Sequence, residues 1–215
     1  MDQAVSIEFI VDSIPASRSD ELLRSWGYDL VAEYVQILRE AHLDAAPPPL
    51  ELATGSGRMS AVLTRLGFNV VTGDISNEKH ADVLGRITPA FSDRVDHLIL
   101  NMKMLPFPGG RFKNIVCLDT LHELEEPHVC VSELIRAHDP GGTIILGDFN
   151  ELGFDVMQRL HRAVYGNDHH QGFLKMAELR PLLQESYSVI REVVTPLNIS
   201  YIAAHKKKKT PAECA

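Results

Sequence analysis

The chain has 215 residues, of which 45% are hydrophobic and 23% charged, an ordinary composition for one α/β domain that excludes collagen-like, disordered and coiled-coil proteins. It carries 21 basic and 29 acidic residues for a net charge of −8, and four of the basic residues form the run Lys206–Lys209. The rest of the chain therefore has a large excess of acidic residues. This excess argues against duplex DNA or RNA as a partner, because binding to a phosphate backbone requires a basic surface.

The distribution of apolar residues and cysteines indicates the compartment. The longest apolar runs, such as 144–146, are far shorter than the roughly 20 residues that span a bilayer, and Asp2 stands where a secretory leader needs positive charge. The three cysteines, at 117, 130 and 214, have no CxxC spacing, which argues against a disulfide framework or a zinc knuckle. We therefore expect a cytoplasmic protein without a membrane partner.

The first segment with a clear pattern is helical. From Ser19 to Leu43 apolar residues recur every three or four positions, with Gly27 as a point where the helix can break. The prolines at 47–49 then end the helix. We predict a helical N-terminal arm or lid over residues 1–46, a main domain over 47–205 and a flexible basic tail over 206–215.

The main domain alternates between strand and helix patterns, which is typical of a parallel sheet covered by helices on both faces. Near the end, 189–195 and 199–204 read as two strands joined by a turn at 196–198, which predicts an antiparallel hairpin at the sheet edge. The fold class is therefore α/β, a doubly wound, Rossmann-like sheet of seven strands that is mostly parallel. The other predicted strands are 50–53, 69–72, 96–101, 114–119 and 143–148, and the predicted helices are 58–66, 77–87, 127–138, 155–165 and 174–186.

A glycine-containing loop follows the first strand and precedes the first helix of this domain. Its sequence over residues 51–57 is Glu-Leu-Ala-Thr-Gly-Ser-Gly, and Asp74 ends the next strand 23 residues after Glu51. Doubly wound folds hold ribose hydroxyls with a carboxylate at about 20 residues from such a loop. A tight turn without a ligand, and a helix-capping role for Asp74, are the alternatives to a nucleoside site.

The same loop helps to distinguish dinucleotides from S-adenosylmethionine. A pyrophosphate site uses a third glycine, but Ser60 occupies its position here. Glu51 would repel a pyrophosphate but would suit the ammonium and sulfonium groups of S-adenosylmethionine. The sequence favours S-adenosylmethionine.

From Tyr28 to Glu151 the sequence resembles the class I S-adenosylmethionine-dependent methyltransferases, in particular the small-molecule group that includes the quinone-ring C-methyltransferases. The glycine loop is similar to the family's acid-x-Gly-x-Gly-x-Gly motif, with Ala53 in place of the first glycine. Three further segments, at 73–76, 101–108 and 140–146, match the family's ribose, adenine and Pro-Gly-Gly motifs in the same order. The resemblance also extends to 28–34, which is similar to an arm that folds over the cofactor.

This resemblance implies the cofactor, S-adenosylmethionine, and the residues that hold it. Asp74 would bind the ribose, Ile75 would pack on adenine, and Asn101 would accept a hydrogen bond from the adenine amino group. The residues that the resemblance places at the cofactor are Glu51, Ala53, Thr54, Gly55, Gly57, Asp74, Ile75, Asn101, Met102 and Asp119.

Asp119 and His122, at the end of the fourth strand, are the candidate catalytic residues, because both can contact an acceptor or change its protonation. A backbone-bonded structural histidine is the alternative for His122, and cofactor binding the alternative for Asp119. His169 and His170 either line an acceptor pocket or lie in a solvated loop. No HExxH pattern is present, so we expect no metal.

The sequence predicts methyl transfer from S-adenosylmethionine to a small-molecule acceptor whose identity and target atom stay open. The alternatives are a catalytically silent protein that binds S-adenosylmethionine or S-adenosylhomocysteine, and a nicotinamide-dependent oxidoreductase. Methylation of nucleic-acid bases is disfavoured, because 118–121 lack the Asn/Asp-Pro-Pro-Tyr motif of the amino-methylating branches. The oligomeric state stays open, a homodimer included.

Overall fold

A computed structural model describes residues 5–172 and 174–208 of the chain. Within them one seven-stranded sheet has the order β3-β2-β1-β4-β5-β7-β6, in which β1 to β5 are parallel and β7 is antiparallel to both of its neighbours. The predicted fold class is thereby confirmed. The strands are β1 (Leu50–Leu52), β2 (Val70–Asp74), β3 (Val95–Ile99), β4 (Phe112–Leu118), β5 (His138–Phe149), β6 (Tyr187–Val194) and β7 (Asn198–Lys206).

Eight α-helices accompany the sheet in the described residues. They are α1 (Ile7–Ser13), α2 (Arg18–Ser25), α3 (Leu30–Ala41), α4 (Arg58–Arg65), α5 (His80–Ile87), α6 (Pro127–Ala137), α7 (Glu151–Val164) and α8 (Met176–Ser186), with 3-10 turns at Pro89–Arg94 and Leu121–Glu123. None of these helices is long and apolar enough to cross a bilayer. The two 3-10 turns and α1 were not predicted.

The sheet separates two apolar layers, as the alternation of side chains along β4 shows. Ile115 and Cys117 point into a core with α6 and α8, whereas Val116 and Leu118 point into a core with α1, α3 and α4. Successive residues of a strand face opposite sides of the sheet, so an unbroken apolar run is buried on both faces.

Cys117 and Cys130 are buried free thiols, while Cys214 lies outside the described residues.

The N-terminal segment contains three helices, two of which lie on either side of the predicted break at Gly27. The helix predicted from Ser19 to Leu43 is interrupted at 26–29, where Asp29 accepts hydrogen bonds from the backbone of Val31 and Ala32 and begins α3. Helix α3 packs against the sheet, and the buried Glu33 accepts a hydrogen bond from the backbone of Leu197 at 3.1 Å. Its position on the sheet makes α3 part of the core, and a lid role for the arm stays a prediction.

At the other end of the chain, Lys206 is the last residue of β7 rather than the first residue of a flexible tail. Its ammonium donates to the carbonyl of His138 at 2.9 Å. The basic run therefore begins within β7, and residues 209–215 of the predicted tail lie outside the described part of the chain.

Candidate active site

A cavity of about 730 Å³ opens at the carboxyl ends of β1, β2 and β4, where doubly wound folds bind their ligands. All the predicted cofactor and catalytic residues line it except Gly57. Gly57 begins α4 with a φ of +80°, and a Cβ there would lie 3.0 Å from the backbone of Val83. This glycine shapes the loop through close packing with α5 rather than by lining the cavity.

The glycine loop has an unusual backbone at the position of the missing glycine. Ala53 has a φ of +62°, in the left-handed region that glycine adopts without steric cost. Its N–H donates to the carbonyl of Gly73 at 2.9 Å, which continues the pairing of β1 with β2 beyond the end of the strand. The loop therefore keeps its turn although the residue is alanine.

Asp74 joins the glycine loop to the end of β2. One carboxylate oxygen accepts from the backbone of Gly55 at 2.8 Å and the other from Ile75 at 2.7 Å. Each oxygen keeps lone pairs for further donors, such as a pair of hydroxyls. The carboxylate is thus fixed at the cavity wall.

Glu51 lies beneath this loop and is buried. It accepts hydrogen bonds from the hydroxyls of Ser60, at 2.7 Å, and Thr72. Burial raises the pKa of Glu51 to about 7, against the opposing effect of the two hydroxyls. A cation bound in the cavity would favour the ionised form of this carboxyl.

Asn101 and Met102 follow β3 at the far end of the cavity. The Asn101 side-chain oxygen accepts from the backbone of Lys103 at 2.9 Å, and a carbonyl oxygen can accept a second hydrogen bond. The arrangement is compatible with the role that the sequence predicts for Asn101.

Asp119 and Tyr34 connect the arm to the centre of the site. The Tyr34 hydroxyl donates to one carboxylate oxygen of Asp119 at 2.5 Å, while the other oxygen is buried and has no hydrogen-bond partner. Burial, aided by the charge of Asp148, raises the pKa of Asp119 to about 7. Asp119 also has a φ of +56°, a strained conformation of the kind that clusters at functional sites.

His122 is buried, with 1% of its surface exposed, and its backbone N–H and ring Nδ1 both contact Asp148 at the end of β5. Its backbone N–H donates to one carboxylate oxygen at 2.7 Å, and its ring Nδ1 lies 2.7 Å from the other. Burial alone lowers the pKa of His122, but the hydrogen bond and charge of Asp148 raise it above 6.5. Ring Nε2 has no hydrogen-bond partner among the described residues and lies 3.8 Å from the carboxylate of Glu123.

His169 lies beside His122, with 4.8 Å between the ring centroids, and lines the same cavity. It is buried rather than solvated, whereas His170 is exposed and does not line the cavity. Of the two alternatives that the sequence left open, the structure places His169 in the cavity wall and His170 at the surface. In the described part of the chain, no group of three or more His, Cys, Asp or Glu residues could hold a metal ion.

A buried ion cluster fixes the arm to the glycine loop. Asp20 of α2 contacts Arg58, the first residue of α4, at 2.8 Å and Arg86 of α5 at 2.9 Å. These charges hold the pKa of Asp20 well below its usual range, against the opposing effect of burial. Arg58 also lines the cavity, so the arm contributes directly to its wall.

Sequence reasoning missed Asp148 and the Asp20 cluster, and it placed Tyr34 in the arm without its contact to Asp119. Asp148 could have been found, because it ends the predicted strand 143–148 and so belongs at the same sheet edge as Asp119. Tyr34 and Asp20 carried no comparable signal, since their partners lie 85 and 38 residues away.

Comparison with known proteins identifies one matching family and several curated relatives. Residues 50–146 match the family described as "Methyltransferase domain". A demethylmenaquinone methyltransferase of Clavibacter sepedonicus is 36% identical over 110 residues, 51% of this chain and 44% of that protein. A mitochondrial ubiquinone biosynthesis O-methyltransferase of Schizosaccharomyces pombe is 23% identical over 190 residues, 82% and 66% of the two chains. The chain thus spans less than two thirds of the length of these relatives.

Solved structures share the fold at low sequence identity. A SAM-dependent methyltransferase from Aquifex aeolicus has a TM-score of 0.58 and 17% identity, covering 86% of this chain and 97% of that one. The [4+2]-cyclase SpnF has a TM-score of 0.58 and 19% identity, covering 76% and 60%. These likenesses show the architecture alone.

Proposed function

We propose that the chain is a class I S-adenosylmethionine-dependent methyltransferase and that it transfers a methyl group from S-adenosylmethionine to a hydroxyl oxygen of a small-molecule acceptor. The observation that carries the proposal is the buried pair of His122 and Asp148. It leaves Nε2 of His122 without a hydrogen-bond partner, and His122 lines the same cavity as the predicted cofactor residues other than Gly57. A base at this position suits an acceptor that must lose a proton.

The residues of the cavity fit the cofactor. The buried, unpartnered oxygen of Asp119 can accept from the ammonium of the amino-acid part, and Glu51 adds a second carboxyl near that end. Asp74 would hold the ribose, with Ile75, Asn101 and Met102 around the adenine. When bound, S-adenosylmethionine supplies an electrophilic methyl group on a positively charged sulfur.

The part of His122 in the reaction follows from its hydrogen bonds. With the Asp148 carboxylate accepting from Nδ1–H, the neutral ring keeps its lone pair on Nε2. The proton that the acceptor hydroxyl loses moves to this nitrogen, and the charge of Asp148 stabilises the imidazolium that forms. The charge on Asp148 therefore makes His122 a stronger base than an isolated imidazole.

The walls on the acceptor side exclude water and orient the acceptor. Phe149, Met157 and Leu160 line this part of the cavity together with the imidazoles. Holding two reactants in a fixed geometry in a dry site can lower a barrier by about 7–11 kcal/mol. An in-line displacement at the methyl group needs little catalysis from the protein beyond this positioning and the removal of the acceptor proton.

The test measures methyl transfer from radiolabelled S-adenosylmethionine to a panel of phenols, for the wild-type chain, His122→Gln and His128→Gln. His128 is an exposed histidine outside the cavity, which makes it a matched control. We expect transfer by the wild type and His128→Gln, and a loss of at least about a hundredfold in His122→Gln. Calorimetric binding of S-adenosylmethionine without transfer to any acceptor would instead support the silent binding protein, and binding of NAD alone would support the oxidoreductase.

A further inference from the structure

The outer ring nitrogen of His122 lies next to a carboxylate. Nε2 is buried and has no hydrogen-bond partner among the described residues. One carboxylate oxygen of Glu123 lies 3.8 Å from it. This separation is longer than a hydrogen bond, but it is within the range of an ion pair with a protonated ring. A proton on Nε2 therefore has a base beside it.

Glu123 connects this buried ring to the solvent. Its side chain is 63% exposed, whereas that of His122 is 1% exposed, although the two residues are adjacent in the 3-10 turn after β4. Both residues line the same cavity. Exposed side chains change rotamer within nanoseconds. Rotation of the Glu123 side chain can therefore shorten the gap to a charge-assisted hydrogen bond of about 2.7–2.9 Å.

The inner ring nitrogen of His122 offers no exit for a proton. Nδ1 lies 2.7 Å from Asp148, which is itself only 2% exposed. The same carboxylate accepts hydrogen bonds from the backbone of His122 and Phe149. A proton that passed to Asp148 would stay inside the protein. The route through Nδ1 is therefore closed.

His169 is the other titratable group in contact with the ring of His122. The two ring centroids are 4.8 Å apart, and the ring of His161 follows at 4.5 Å from that of His169. Burial and the charges of the neighbouring imidazoles lower the pKa of His169 to about 4. Because the pKa of His122 lies above 6.5, His169 is a poor acceptor for its proton.

The charged groups that surround His122 favour its protonated form. They are Asp119 after β4, Glu123 in the 3-10 turn and Asp148 at the end of β5, with His169 on the loop after α7. Burial lowers the pKa of His122, but the three carboxylates raise it above 6.5. The ring therefore keeps a proton until a base removes it. Of the three carboxylates, Glu123 alone is exposed.

We propose that Glu123 carries protons between the buried His122 and the solvent. The N–H bond at Nε2 breaks, its proton forms an O–H bond on Glu123, and the ring is left neutral. The Glu123 carboxyl then releases the proton to water or to a buffer base. Glu123 thus acts on the reaction through His122.

The source of this proton rests on the proposed function. Transfer of a methyl group from a sulfonium to a hydroxyl leaves a neutral thioether, an ether and one proton, which His122 takes up. Each turnover therefore requires one proton to leave the site. The route from Nε2 to the solvent does not rest on the reaction, because it depends only on the positions of His122 and Glu123.

The test measures how fast the Nε2 proton of His122 exchanges with water. NMR of the chain labelled isotopically at histidine, at a pH below the pKa of His122, gives the rate by saturation transfer from water. The resonance is identified by its loss in His122→Gln. Glu123→Gln keeps the size of the side chain but takes up no proton. We expect exchange in this variant to be at least about tenfold slower than in the wild type.

Glu125→Gln is the matched control, because it makes the same change in the same segment. The Glu125 side chain is 88% exposed and lies 3.5 Å from Lys103. Its exchange should be that of the wild type. Added acetate supplies a free carboxylate, so it should accelerate exchange in Glu123→Gln more than in the wild type. A purely structural role for Glu123 would not produce this rescue. Thermal unfolding checks that the variants are folded.

Three results would overturn the inference: exchange as fast in Glu123→Gln as in the wild type, an equal decrease in Glu125→Gln, or a larger decrease in His169→Phe. The last would show that the proton leaves through His169. Methyl transfer to the panel of phenols is measured separately. Slow exchange in Glu123→Gln without transfer by the wild type would retain the proton route and refute the proposed reaction. Transfer by the wild type with unchanged exchange in Glu123→Gln would do the reverse.

Discussion

Asp148 binds His122 twice, through the backbone N–H and through ring Nδ1, each at 2.7 Å. The same carboxylate accepts from the backbone of Phe149 at 2.9 Å. A carboxylate that accepts three hydrogen bonds is fixed in position, and it fixes the ring and its tautomer in turn. The ring of His122, which lines the cavity, is therefore held by a residue that does not line it.

Asp148→Asn tests this positioning role. An amide in place of the carboxylate removes the charge and presents N–H donors to a ring that must donate, so we expect kcat/KM to fall by about a hundredfold or more. In the wild type, kcat/KM should fall on the acid side with an apparent pKa above 6.5, and the variant should shift that pKa downward, because Asp148 is what raises it. Unchanged affinity for S-adenosylhomocysteine is the control, and an unshifted pH profile would reject the role.

Asp74→Ala should weaken binding of S-adenosylhomocysteine at least about tenfold, because the variant loses the carboxylate proposed for the ribose hydroxyls. It also removes the link between Gly55 and the end of β2. Calorimetric titration measures the effect. Asp96→Ala, which makes the same change at an exposed position of β3 outside the cavity, should bind like the wild type. Equal losses in the two variants would mean that net charge, not contact, governs affinity.

Binding of the cationic amino-acid group should release protons. Glu51 and Asp119 have pKa values raised to about 7, so both are largely protonated at pH 6.5, and a bound ammonium favours their ionised forms. Calorimetry in two buffers of different ionisation enthalpy should show release of about one proton at pH 6.5 and almost none at pH 8.5. Asp119→Asn should reduce the release at pH 6.5. A binding enthalpy that is independent of the buffer would contradict this expectation.

Asp20→Asn should lower the free energy of unfolding by about 3–5 kcal/mol, because two largely buried guanidinium groups lose their counter-charge. The folded-state pKa of Asp20 is depressed, so its contribution is complete above the unfolded value of 3.8 and is lost as the pH falls below it. Urea unfolding measures the free energy of unfolding of both proteins at pH 7 and pH 3. The difference between Asp20→Asn and the wild type should be smaller at pH 3. Asp12→Asn, at an exposed position of α1, is the matched control.

Ala53→Gly should leave stability unchanged or raise it by up to about 1 kcal/mol. The left-handed conformation costs an alanine about 1–2 kcal/mol, and the extra chain entropy of glycine offsets part of the gain. Ala61→Gly, in the interior of α4, should instead destabilise by about 1 kcal/mol or more. Thermal and urea unfolding of both variants measure these changes, and similar losses in the two would show that Ala53 is not strained.

The family resemblance that the motifs predicted is confirmed, and so is the seven-stranded fold. Local sequence was sufficient for these predictions, because they depend on features of short segments. The features are the spacing of apolar residues, the glycine loop and the acid at the end of β2. The roles of the site residues stay predictions. The first helix, α1, lay outside the apolar pattern because only Ile10 is buried in it.

Local sequence determined which residues end the strands, and hence that Glu51, Asp74 and Asp119 come to one edge of the sheet. Only the tertiary structure decided which of them meet: His122 with Asp148, Tyr34 with Asp119, and the backbone of Gly172 with that of His122. Such contacts depend on strand register and on how helices dock against the sheet, and no periodicity along the chain encodes either one. The residues proposed for the cofactor could therefore be named from motifs, whereas those proposed for the acceptor required the folded chain.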